Sequence, residues 1–204
     1  MQLEVINTIA ALITVAIVAA AAVAALVQLR HLRAGNQIQA LLTIGEKLNS
    51  RQYTDALTRA NTGLGAALED PRYRAYEISI WRRLPPPPGV EQHFIDMHRA
   101  AVLVGNTFEE LGLIVRNRIV DPTMFIDNYS GIALGAWKVL EKFTALGRAT
   151  METNAGWENF EYLAVLSEDW IRQHPTSYPA GVRRMELHCP WSVPAADQDR
   201  IGEG

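Results

Sequence analysis

Residues 5–27 read VINTIAALITVAIVAAAAVAALV, and no Asp, Glu, Lys, Arg or His interrupts them. Asn7, Thr8 and Thr14 are the clearly polar side chains in this run. A helix of that length rises about 34 Å at roughly 1.5 Å per residue, enough to cross a hydrocarbon core about 30 Å thick. The run is apolar on every face, which a surface helix of a soluble domain is not. The sequence therefore predicts a membrane-spanning helix over 5–27, with a short tail at 1–4. A cleaved signal peptide is the competing reading, since Ala19 to Ala22 could mimic a cleavage site. Such signals usually have a basic start and an apolar stretch of about 7–15 residues. Here the charged side chain ahead of the run is Glu4, and the run is longer.

The flanks set an orientation. Arg30, His31 and Arg33 follow the span at once. The positive-inside rule then expects the C-terminal side in the cytoplasm and the N-terminus outside, in a single pass through the cell (inner) membrane. The chain has 204 residues and a formal net charge of −3, and the part beyond the run is rich in charge. That remainder is long enough to bury a core of its own. Cys189 is the single cysteine, so no intrachain disulfide can form, which suits a reducing compartment.

Beyond the span, Ile38, Leu41, Leu42, Ile44 and Leu48 recur at three- and four-residue spacing, which predicts a juxtamembrane helical stalk over 28–49. Gly35-Asn36 marks a possible bend within it. A helical bundle domain is expected over 50–174. Ser50 is a candidate N-cap for a helix carrying Tyr53, Ala56 and Leu57, weakened at Asn61-Thr-Gly-Leu-Gly65. Asp70-Pro71 and Asp121-Pro122 each place a capping carboxylate before a proline at the first helical position. Between Pro71 and Leu84, Tyr76, Ile80 and Trp81 fall at helical spacing.

Pro85 to Pro88 cannot continue a helix and favour polyproline II, as a stiff connector or as a proline-recognition ligand. From Val90 to Arg116 the face Phe94, Met97, Ala101, Val104, Phe108, Leu111, Val115 is expected in the core. So is Phe125, Tyr129, Ile132, Ala136, Leu140, Phe143 in the next helix. Asn154 is expected to cap a last helix bearing Trp157, Phe160, Leu163, Ala164, Leu166 and Trp170. Residues 175–204 read as a proline-punctuated tail. No strand pattern and no repeat emerge. The fold class is all-α: a transmembrane helix continuing into a stalk, then a helical bundle.

Few chemistries fit. No phosphate-binding glycine loop, zinc-protease motif or nucleophile elbow is present. No Glu is followed three residues later by His, as a di-metal carboxylate bundle requires. His93, Asp96 and His98 make at most half a metal site, and His174 with His188-Cys189 is a poor zinc set. No catalytic, cofactor-binding or metal-ligating residue is assigned, and no cofactor is expected. The acidic balance, without a basic stripe interleaved with aromatics, speaks against nucleic acid. Arg82-Arg83 or Arg183-Arg184 could touch anionic lipid beside the bilayer.

Glu109 or Glu110 is expected to pair with Arg116 or Arg118, and Glu161 to be a buried partner of an arginine. Gly131 and Gly135 share a face that permits close helix approach. Ala16, Ala20 and Ala24 line one face of the span, where small residues let two membrane helices meet. The Ile38–Leu48 stripe either zips against a second copy or packs on its own domain.

The segment Phe108-Glu-Glu-Leu-Gly-Leu-Ile-Val-Arg-Asn-Arg-Ile-Val-Asp-Pro122, followed by Trp137 and Trp157-Glu-Asn-Phe-Glu-Tyr-Leu-Ala164, resembles a family of small bacterial membrane-anchored helical proteins of unknown function. Its order is membrane helix, stalk, a Phe-Glu-x-x-Gly pattern, an acidic helix start, a mid-helix Trp, and a final Phe-Glu-x-Leu-Ala helix. The resemblance covers most of residues 3–172. It implies an anchored helical fold and carries over no active site. The expected function is a membrane-tethered module that binds a protein partner or self-associates as a homo-oligomer. The alternative is a small-ligand sensor or enzyme with a pocket in the bundle, using Glu109, Glu161, His93 or Trp137.

Overall fold

The computed structural model describes residues 2–176, 178–186, 188 and 191. Among them six helices occur in the order α1 Gln2–Asn49, α2 Arg51–Glu69, α3 Pro71–Trp81, α4 Gln92–Arg116, α5 Pro122–Met151 and α6 Glu158–Gln173, with no strand. Cys189 and the tail prolines Pro190 and Pro194 lie outside the described residues.

The local signals act where side chains can cap. Ser50 accepts from the Tyr53 amide and starts α2. Asp70 and Asp121 cap α3 and α5 ahead of a proline that has no amide to leave unpaired. The Arg72 guanidinium beside Asp70 holds that carboxyl below the usual range. The four prolines separate α3 from α4 as a connector, and Gly89 turns it with φ of 72°.

Neither expected weak point interrupts its helix. α1 runs through Gly35-Asn36 and α2 through Asn61 to Gly65 without interruption. A helical glycine costs only about 1 kcal/mol relative to alanine, and in α2 the buried face Tyr53, Ala56, Ala60, Leu64 and Leu68 offsets that cost. At Gly63 a Cβ would meet the Met97 methyl at 2.4 Å, the movable end of a flexible side chain. Gly131 and Gly135 do not serve helix approach: a Cβ at either meets nothing within 4 Å.

The stalk stripe divides. Ile44 and Leu48 are buried on the bundle, with Ala40 and Leu41 packed beside them, whereas Ile38 and Leu42 remain exposed. Phe94, Met97, Ala101, Val104, Phe108, Leu111 and Val115 are all buried, as are Phe125, Ala136, Leu140 and Phe143. Ile132 is exposed instead, one position off the α5 contact face. Aromatic rings knit the layers. Tyr53 meets Phe108 edge-on at 6.2 Å, Phe108 stacks on Phe160 at 4.8 Å, and Trp81 lies 5.6 Å from Phe143.

Two of the buried tyrosines have hydroxyls without hydrogen-bond partners, Tyr53 and Tyr73. Burial pushes the Tyr53 phenol up to about 12, and burial plus the neighbouring Glu77 charge pushes Tyr73 the same way. An unfolded tyrosine ionises near pH 10. The neutral phenols therefore favour the fold fully below about pH 10, and that contribution is lost as pH rises through about 12. In an alkaline titration these two should ionise only together with loss of helical circular dichroism. Tyr53→Phe with Tyr73→Phe should move that loss to higher pH. Ionisation of all tyrosines while ellipticity holds would show that the rings are not sealed.

Candidate functional site

The motif pair singled out in the sequence turns out to be a socket and its plug. α6 begins without a capping side chain of its own: Trp157 stands at the N-cap position in the left-handed region with φ of 52°. The missing cap comes from α4. Glu109 Oε2 accepts from the amides of Asn159 and Phe160, both at 3.0 Å, and its Oε1 accepts from the Asn159 side chain at 2.7 Å. A carboxylate at a helix N-terminus satisfies orphan amides and opposes the positive end of the helix dipole. Phe108 stacks on Phe160. Gly112 leaves room for the α6 backbone, since a Cβ there would stand 2.1 Å from the Asn159 carbonyl oxygen. Phe-Glu-x-x-Gly thus supplies a ring, a cap and a gap.

This corrects three expectations. Asn154 does not start the last helix; residues 154–157 are drawn out of it because the Trp157 indole fills the space over Gly105 and donates to Asn106 Oδ1 at 3.0 Å. Glu109 pairs with neither Arg116 nor Arg118. Glu110 pairs with Lys47 of the stalk, while Arg116 donates to Asn159 Oδ1. Replacing Glu109 by alanine should cost about 2 kcal/mol, because two half-buried amides lose a charged acceptor. Glu109→Gln should recover roughly half of it. Urea unfolding of both variants checks this, and equal losses would remove the capping role.

Trp137 and Glu161 are brought together on the other side of α6. They line an open cleft of about 640 Å³ between α5 and α6, with Glu141, Thr144, Arg148 and Glu152. Arg148 organises it: its guanidinium donates to Glu161 at 2.8 Å and to the Gly156 carbonyl at 2.9 Å, and sits 6.0 Å over the Trp137 ring. The expected arginine partner of Glu161 is therefore Arg148. Glu161 is half-exposed, not buried.

His93 is elsewhere, exposed, 3.3 Å from Glu91 and packed on Phe94. His98 turns instead to Glu77, at 2.9 Å. Among the described residues no group of three or more His, Cys, Asp or Glu could hold a metal ion.

A polar cluster that the sequence reading missed lies under α3. Glu77 is fully buried; its Oε2 contacts His98 Nδ1 at 2.9 Å and accepts from Trp81 Nε1 at 3.2 Å. Its Oε1 has no partner. The available signal was spacing: Tyr73, Glu77 and Trp81 fall at i, i+4, i+8, which puts an acid in the middle of an aromatic stripe.

One family matches this chain over residues 15–170, from within α1 into α6, and is described as Domain of unknown function (DUF4760). No curated protein and no solved structure matches.

Proposed function

The chain belongs to the DUF4760 family, and from that footing we propose that it is a membrane-tethered helical module that self-associates or holds a protein partner beside the bilayer. The single observation that carries this is the state of α1. Leu12, Val15, Val18, Leu26, Leu29 and Leu32 are each more than half exposed, and none of the apolar window is buried against the bundle. A helix long and apolar enough to span a membrane, left bare by its own domain, needs lipid or another helix around it. In this reading the bundle lies on the cytoplasmic side of the inner membrane, and Ala16, Ala20 and Ala24 form the helix-packing face.

The chain should resist extraction by alkaline carbonate and dissolve in mild detergent as more than one copy or with a bound protein. Ala20→Leu should weaken self-association. A strict monomer that retains no partner would remove the interaction role. A reporter fused at Gly204 reads sidedness separately.

A second reading rests on the α5–α6 cleft, where Trp137, Arg148 and Glu161 converge. Under it, a small ligand raises the melting temperature of the protein, and Trp137→Ala abolishes the rise. A screen without any such ligand would sink it.

A further inference from the structure

We infer that the turn between α4 and α5 docks on anionic lipid headgroups, pressing the bundle against the membrane that α1 crosses. The inference rests on the tether reading above. α4 runs antiparallel to α2, with Tyr53 against Phe108 and Gly63 against Met97. It therefore returns to the α1–α2 junction, where Glu110 pairs with Lys47, and its last turn continues past that junction. α5 starts from the same end, and its Tyr129 hydroxyl donates to the Leu41 carbonyl at 3.3 Å. Pro122 lies seven residues before Tyr129, on the turn side of that contact. Leu41 stands about 21 Å beyond Val27, the end of the apolar run. The turn is thus on the end of the bundle that the stalk enters.

The turn carries the right chemistry for that place. Arg116 and Arg118 flank it and are exposed; Ile119 at its tip is 61% exposed, with Met124 beside it. Arg118 has no carboxylate partner among the described residues. Asp121, the nearest acid in the chain, is occupied by the amides of Thr123 and Met124. Arg30 and Arg33 lie on α1 between the apolar run and the bundle.

Arg118 also occupies an unfavourable backbone position. The Arg118 amide bonds the Val115 carbonyl and the Ile119 amide the Ile114 carbonyl, with Arg118 at φ of 55°, a helix ending that favours glycine. The same ending recurs at Arg83, with φ of 56°. That site adjoins Trp81, which packs on Gly147, about 27 Å farther along α5 than Tyr129. The Arg82-Arg83 pair, expected from the sequence as a lipid contact, is thus at the far end, and the same ending there supplies a matched control.

The test uses the full chain in nanodiscs of phosphatidylcholine, with or without phosphatidylserine. A fluorophore is placed by Ile119→Cys in a Cys189→Ser background, and its access to iodide is measured. Phosphatidylserine should shield the probe, and each arginine should shift the docked-to-undocked ratio about fivefold. Arg118→Gly should raise the melting temperature yet expose the probe, and Arg116→Gln with Arg118→Gly should expose it further. Arg83→Gly should raise the melting temperature and leave shielding unchanged, and a probe at Leu84→Cys should stay open in both lipids. Iodide access that is equal in the two lipids, or shielding that survives loss of both arginines, would overturn the inference while leaving the tether in place. A chain that alkaline carbonate removes from membranes would instead sink the tether, and the inference with it.

Discussion

Gly112→Ala should destabilise the fold by about 3–5 kcal/mol, through one methyl group. An added Cβ would stand 2.1 Å from the Asn159 carbonyl oxygen and 2.5 Å from its carbon. These are backbone atoms at the start of α6, and no side-chain rotation can clear them. α6 must move away by more than an ångström. That motion breaks what the close approach made possible: the Glu109 bonds to the Asn159 and Phe160 amides and the Phe108–Phe160 stack. The helix propensity of alanine returns only about 1 kcal/mol.

Gly131→Ala and Gly135→Ala, where a Cβ meets open space, should instead stabilise by about 0.5–1 kcal/mol each. Denaturant unfolding of the three variants in the same detergent gives the comparison. If Gly112→Ala unfolds like the two controls, α6 is not seated as described. Gly105, covered by the Trp157 ring, is a milder version, because an indole can shift where a backbone cannot.

Sequence reading succeeded where the deciding physics is local. Ser50, Asp70 and Asp121 cap helices because each side chain reaches amides two or three residues on, and that reach is written in the chain. The apolar stripe of α4 is legible because 3.6-residue periodicity and burial are the same fact. Reading failed where a distant segment decides. Asn154 has every local qualification to start α6, yet α6 starts at Glu158, because its cap is a carboxylate on α4 and Trp157 is pulled toward Gly105. Nothing near residue 154 records that. Gly131 and Gly135 fail in the opposite sense: their spacing fits close packing, but no helix lies over them.

The candidate site residues divide along the same line. Glu109 and Glu161 sit on opposite sides of one short helix, so neighbourhood in a motif did not mean neighbourhood in a site. Glu77 went unread because a carboxylate between aromatics looks like a surface residue until α4 closes over it.

That buried carboxylate yields the other large effect. His98→Leu should cost about 3–5 kcal/mol, whereas Glu77→Leu should leave stability within about 1 kcal/mol of the parent or raise it. The two partners share one contact of 2.9 Å but differ in their exits. Glu77 is fully buried, with Oε1 already unpartnered, so losing His98 leaves a carboxylate with Trp81 as its remaining donor. The His98 side chain is 19% exposed and can turn to water when Glu77 is gone. Leucine at 77 also removes the charge beside the Tyr73 phenol, itself buried without a partner. The double replacement should recover most of the His98→Leu loss, since a buried pair is dispensable together and costly to halve. Thermal and denaturant unfolding of the two single variants and the double variant closes this cycle. Should Glu77→Leu prove the more damaging single change, desolvation is not the dominant cost at this site. Glu77 would then be held there by a stabilising contact stronger than its visible bonds to His98 and Trp81.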